Sequence, residues 1–162
     1  MADSGRQRIV DAIVARMALI NGTGSYETNI GGRSEDSRTN WHAGDGETAS
    51  ELPAISVFDG DSEPFPTTAG DYKAAVHVMS VMIRGFVAQG TTAANARKLL
   101  KDIKTAIRQD DKWTVSNVKL AMQTRERPER ITRNAESFEV DGCELEIEVH
   151  FITNKFNAEL RS

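Results

Sequence analysis

The chain has 162 residues, 39% of them hydrophobic, and a formal net charge of −4, which is the size and composition of one domain that buries about two thirds of its unfolded surface. A pI near 5.4, with no cluster of Lys and Arg long enough to track a phosphate backbone, disfavours sequence-specific nucleic-acid binding. The single cysteine, Cys143, excludes an internal disulfide and reads as a small apolar filler; with no signal peptide and no apolar run near membrane length, a soluble protein of intracellular origin is expected.

In chain order, Ser4-Gly5-Arg6-Gln7 has the form of a capping box, in which the Ser4 hydroxyl accepts from the Gln7 amide and the Gln7 side chain reaches back. A helix is predicted there, with Ile9, Ile13, Met17 and Ile20 on one face and Asn21-Gly22 at its end. Six glycines follow between Gly22 and Pro53, with a short strand expected near Glu27 to Ile30. Residues 31–52 are too long and polar for a simple connector, and loops of that length are usually functional or disordered. Leu52-Pro-Ala-Ile-Ser-Val-Phe58 reads as a short strand that Asp59-Gly60-Asp61 ends, and residues 62–70 as a second polar connector.

The stretch from Asp71 to Asp111 is the expected folding core. Between Val76 and Val87 apolar residues occupy both parities, which predicts a central strand with both faces at least partly covered, or a bulge near Ser80 that switches the buried face. A helix opened by Thr91-Thr92 then places Ala96, Leu99, Leu100, Ile103, Ala106 and Ile107 on one stripe. Arg97, Lys98, Lys101, Asp102, Lys104 and Arg108 are expected on the outer face.

After that helix, Trp113 to Val115 suggests an extended piece, Val118 to Thr124 a strand, and Arg125 to Arg130 a turn broken by Pro128. Phe138 and Val140, then Cys143, Leu145, Ile147, Val149 and Phe151, alternate with polar residues around Asp141-Gly142. That dipeptide is a two-residue hairpin signal, so a terminal antiparallel hairpin is predicted. The resulting fold class is α+β: a single domain over residues 1–162, with an antiparallel or mixed sheet and two main helices on one face.

Catalytic patterns are absent. His42, His77 and His150 have no ligand-like spacing among themselves or to Cys143. The glycine pairs lack the lysine of a phosphate loop, and no serine sits in a nucleophile elbow. No catalytic residue, metal or cofactor is therefore expected. Glu144, Glu146 and Glu148 project from one side of a strand, where like charges about 7 Å apart repel unless screened. They form a solvated face, or an acidic row facing a partner or a lumen. Trp41, an indole among Gly, Ser and Asp, is either tucked against the core or kept for a partner.

Several phrases occur together in order: Arg8-Ile-Val-Asp-Ala-Ile-Val-Ala-Arg-Met17, a polar insertion, Leu52-Pro-Ala-Ile-Ser-Val-Phe-Asp-Gly60, a long strand ending Ile83-Arg-Gly-Phe-Val-Ala88, and Ala96-Arg-Lys-Leu-Leu-Lys-Asp-Ile-Lys-Thr-Ala-Ile107. In outline this resembles the tail terminator and tail-completion proteins of tailed bacteriophages; the loop from Gly31 to Glu51 is richer in Gly, Ser and acid than that family suggests. The resemblance implies a non-enzymatic α+β subunit of a hexameric ring, located in the virion near the neck and made in the host cytoplasm. Such a ring caps the tail tube, stops tube polymerisation and joins the neck.

Implied partners are further copies of the chain, the tube protein and a neck connector, with DNA only as passing cargo and no membrane. Candidate ring contacts are the exposed edge of the terminal hairpin and the polar loop, where Arg33, Arg38, Trp41 and His42 stand, and the row Glu144, Glu146, Glu148 would suit a lumen or a partner. Two alternatives remain at this stage. One is a head-completion or neck protein; the other is a small enzyme or ligand-binding domain using His77 or His150 with a nearby Glu in the helix–sheet cleft.

Overall fold

The computed structural model describes residues 4–64, 74–133 and 140–154. Helix α1 (Gly5–Met17) begins as expected, for Ser4 Oγ accepts from the Gln7 amide at 3.2 Å. The reciprocal half of the capping box does not form, because the Gln7 side chain donates forward to Asp11 at 2.8 Å instead. The helix also ends before Asn21-Gly22: Leu19 and Ile20 donate to the carbonyls three residues back, and this tightening still delivers Ile20, fully buried, to the core. The short strand expected near Glu27 to Ile30 is reduced to an isolated bridge between Asn21 and Asn29.

The remaining elements are β1 (Ser34–Asp36), β2 (Ala54–Pro64), β3 (Ala74–Ala88), α2 (Ala94–Gln109), β4 (Thr114–Val115), β5 (Val118–Lys119), β6 (Gln123–Thr132) and β7 (Val140–Asn154). They form a mixed five-stranded sheet in the order β1-β2-β3-β7-β6, with β4 and β5 as a separate ribbon. The β1–β2 pair is parallel and the other pairs of the main sheet are antiparallel. The fold is thus α+β, with two helices on one sheet face, as the residue pattern predicts.

β3 is central, and its register against β7 runs without a shift from Ala74–Asn154 to Ala88–Val140. The irregularity expected near Ser80 lies across from it, in β2, where the register slips between Asp59 and Ser62. That bulge lets β2 run on to Pro64, past the Asp59-Gly60-Asp61 that reads as a strand end. Met79, Val81, Ile83 and Val87 on one parity of β3 are buried with Leu145, Ile147 and Val149 of β7. α2 covers them with Leu99, Ile103 and Ile107, while α1 packs Ile9, Ile13 and Met17 over β1 and β2. Each such side chain contributes about 1.5–3 kcal/mol through burial. On the opposite parity Val76, Val78 and Met82 are half-buried and Phe86 is buried, so that face is partly covered.

Three further expectations are corrected. Asp141-Gly142 is not a turn but lies within β7, with Asp141 opposite Val87 and Gly142 between Phe86 and Thr132. Two partner strands override the local turn preference, and the buried Asp141 carboxylate is held by Arg133 at 3.1 Å; Phe138 falls outside the described residues. Arg125 to Arg130 is not a turn but the body of β6, whose register slips between Glu126 and Glu129. Pro128, which has no N–H for the ladder, sits in that bulge on an edge strand. The terminal strand is therefore an interior one, and the exposed edge belongs to β6.

Asp102, expected on the outer face of α2, is fully buried. Both its oxygens accept from the Glu27 amide at 3.1 Å, and one from the Thr28 amide at 2.6 Å. It pins the loop after α1 to α2.

Candidate interaction surface

With both helices on one side, the other face of the sheet carries no helix among the described residues. Phe58 of β2, Val78, Ser80, Met82 and Arg84 of β3, and Glu144, Glu146 and Glu148 of β7 share it by register. The three glutamates are not a bare acidic row. Glu144 lies between Arg84 at 3.0 Å and Arg130 at 2.6 Å, Glu146 accepts from Ser80 Oγ at 3.0 Å, and Glu148 faces Arg127 at 3.5 Å. Arg84 also stands 5.5 Å from the Phe58 ring. Opposite charges thus offset the repulsion along the row, although pairs this exposed stabilise by only about 0–1 kcal/mol each. The face is a two-sign ladder around half-buried apolar groups, a composition suited to a partner surface.

One end of this face is closed by the polar loop. Trp41 Nε1 donates to the buried Ser56 Oγ at 2.8 Å, and its ring packs with Leu52, Phe86 and Val140. Of the two roles open to Trp41, the tucked one is realised. Arg38 stacks over the indole at 3.9 Å and donates to both Glu51 oxygens at 2.7 Å. Glu51 also accepts from the His42 amide at 2.7 Å, while its own amide donates to the His42 carbonyl at 2.8 Å. Residues 38–51 are thus a clamp and not a loose connector.

The hydrogen bond from the His42 amide, followed by that from Arg38, holds the Glu51 carboxyl below its ordinary value of 4.5. A depressed carboxyl contributes stability above the unfolded value and loses it as pH falls through the folded one. Acidification below about pH 4.5 should therefore release Trp41 before the core unfolds, and Glu51→Gln should loosen it at neutral pH. Acrylamide quenching reads this selectively, since Trp113, the second tryptophan, is 1% exposed. Equal quenching of parent and variant at pH 7, or no rise on acidification, would contradict the clamp.

The remaining candidate residues are dispersed. Arg33 donates from Nε to the Pro53 carbonyl at 3.1 Å and ties the loop to the start of β2. The exposed His42 accepts at Nδ1 from the Gly44 amide at 2.9 Å. His77 pairs directly with Phe151 in register and its ring stacks on that phenyl, centroids 5.5 Å apart. His150 is the next residue along β7 and so points to the opposite face, where Glu148 lies 3.9 Å away. The two histidines cannot share a cleft.

Burial pushes the Cys143 thiol up to about 12, so it is protonated near neutral pH. Among the described residues no group of three His, Cys, Asp or Glu is placed to hold a metal. An open groove of about 320 Å³ between the loop after α1 and α2 has Glu27, Asn95 and Lys98 at its rim and Leu52 and Val87 on its wall.

Sequence reasoning passed over Glu51, which closes the clamp, and set on the outer face of α2 the buried Asp102, which pins the loop after α1 on the helix side. Glu51 has no signal beyond preceding Leu52-Pro53, whereas Asp102 stands three residues after Leu99 and four before Ala106, a spacing that places it at the border of the buried stripe. Neither a family model nor a curated protein sequence matches the chain. No helix among the described residues is long and apolar enough to cross a membrane.

Proposed function

We propose that this chain is a structural virion protein of the tail-terminator type. It forms a ring, six-membered by the resemblance, on the finished tail tube, halts addition of tube subunits and presents its other surface to the neck. It acts by shape and surface chemistry and not by catalysis, and DNA only passes through the ring. The observation that carries this reading is the one-sided packing of the sheet. Both helices lie on one face, and the other offers Phe58, Val78 and Met82 within a ladder of paired charges, closed at one end by the Trp41 clamp. Because arginines neutralise Glu144 and Glu148, the row is read as partner-facing and not as a repellent lumen wall.

The test is tube growth. Added to polymerising tube subunits, the protein should arrest elongation and appear at one tube end. Tubes that grow to the same length with and without it, or binding to portal-bearing heads and not to tubes, would overturn the assignment.

A further inference from the structure

Charge is segregated across the molecule although its total is small. Residues 4–64, which supply α1, the loop, β1 and β2, hold five Lys and Arg against ten Asp and Glu, a net of −5. Residues 94–133, which supply α2, the β4–β5 ribbon and β6, hold eleven against five, a net of +6. Since β1 and β2 lie at one side of the sheet and β6 is the opposite edge, the two sides carry opposite sign.

Each side has a defined feature. On the acidic side β2 runs beyond β1, which pairs only with Ile55 to Val57, and its tip projects Asp61 and Glu63, both exposed and without an ion-pair partner among the described residues. The base of that tip is fixed by the Arg6 guanidinium, which donates to the Asp59 carboxylate and the Gly60 carbonyl. On the basic side a groove of about 510 Å³ separates α2 from β6. Its floor is Leu100 and Ile131, and its rim carries Arg97, Lys101, Lys104 and Arg108 against a single lining carboxylate, Glu129. Lys101 is engaged by Glu27 at 3.2 Å, Lys104 by Glu129 at 2.7 Å and Arg108 by Glu126 at 2.8 Å, all in exposed pairs that a partner carboxylate can share, while Arg97 has no carboxylate partner among the described residues.

We infer that copies of this chain associate head to tail, the acidic β2 tip of one copy seating in the basic α2–β6 groove of the next. The two patches differ, so the contact is heterologous and propagates, and rotation between copies decides whether it closes. Closure into a ring rests on the function proposed above; the contact itself rests on charge and shape. Side chains and not a shared ladder make the junction, because the bulge at Pro128 and the charged residues of β6 blunt strand addition at that edge. Opposed fields of this kind also speed encounter and weaken with salt.

Sedimentation velocity of the full chain at low salt tests the contact with two charge reversals, Asp61→Lys with Glu63→Lys, and Arg97→Glu with Lys101→Glu. Each alone should weaken self-association by at least about tenfold. An equimolar mixture should restore assembly with alternating copies, because every junction is again between opposite charges. Far-UV circular dichroism checks that each variant folds, and if either fails, Asp61→Asn with Glu63→Gln should give an intermediate loss. Wild type that stays monomeric, reversed variants that assemble like the parent, or a mixture that stays dissociated would each overturn the contact. Rings that survive both reversals and still cap tubes would remove the contact and leave the tail-terminator reading. Charge-dependent assembly that caps no tube would do the opposite.

Discussion

Gly85→Ala should destabilise the fold by about 1–3 kcal/mol, the range for inserting a methyl into a packed core. Gly85 lies on β3 beneath α2, and a Cβ there would meet Cys143 Sγ and Leu99 Cδ2, each at 2.6 Å, with Leu99 Cγ at 3.0 Å. Both neighbours are packed in the core, Leu99 being fully buried and Cys143, on β7 opposite Gly85, 1% exposed. Leu99→Ala alone should cost about 2–5 kcal/mol by leaving a cavity. The double variant should cost clearly less than the two together, because the new methyl at position 85 occupies part of the space that Leu99 vacates. Urea denaturation of the four proteins measures the cycle. Additive effects would show that the helix does not approach the sheet this closely.

Asp102→Ala should be the most damaging substitution of a polar side chain, at about 2–4 kcal/mol. Its carboxylate, itself fully buried, satisfies the amides of Glu27 and Thr28 in part-buried hydrogen bonds, and leaving such donors unpaired costs up to about 1–3 kcal/mol each. Asp102→Asn retains one acceptor oxygen and should lose less. Amide hydrogen exchange provides the specific readout: protection at Glu27 and Thr28 should collapse in the alanine variant while β3 and β7 change only with global stability. Unchanged protection at those two amides would refute the role given to Asp102.

The elements legible in the sequence are those whose pattern is set by one dominant environment. The stripe of α2 packs mainly on the sheet, so its three- and four-residue spacing reads directly, and the double parity of β3 marks a strand with both faces at least partly covered. Misreadings cluster where a local signal competes with a distant partner. Asp141-Gly142 favours a turn in isolation, but β3 and β6 flank it and Arg133 holds its carboxylate. Pro128 breaks a central strand, yet on an edge with a bulge it is accommodated. The two-residue turn Ser116-Asn117 between β4 and β5 has positive φ of 49° and 66° without a glycine, and so lacks the usual signature.

Of the interaction surface, Trp41 stands out as an indole in a polar stretch and Arg38 is a candidate contact of the same loop, but their closure through Glu51 depends on a contact thirteen residues away. The opposition of charge between the two sheet edges was not readable at all before the strand order was known. Net charge near −4 conceals it, because the acidic segment 4–64 and the basic segment 94–133 cancel in the total, and only the strand order sets them at opposite sides of the sheet.

Negative-stain imaging of the purified protein with and without tail tubes decides between a tube-capping ring and a lone subunit. Closed rings, free or seated on one end of a tube, are expected, with tube growth stopped beneath them. Monodisperse monomers that form no ring and leave every tube end bare would contradict the tube-capping ring.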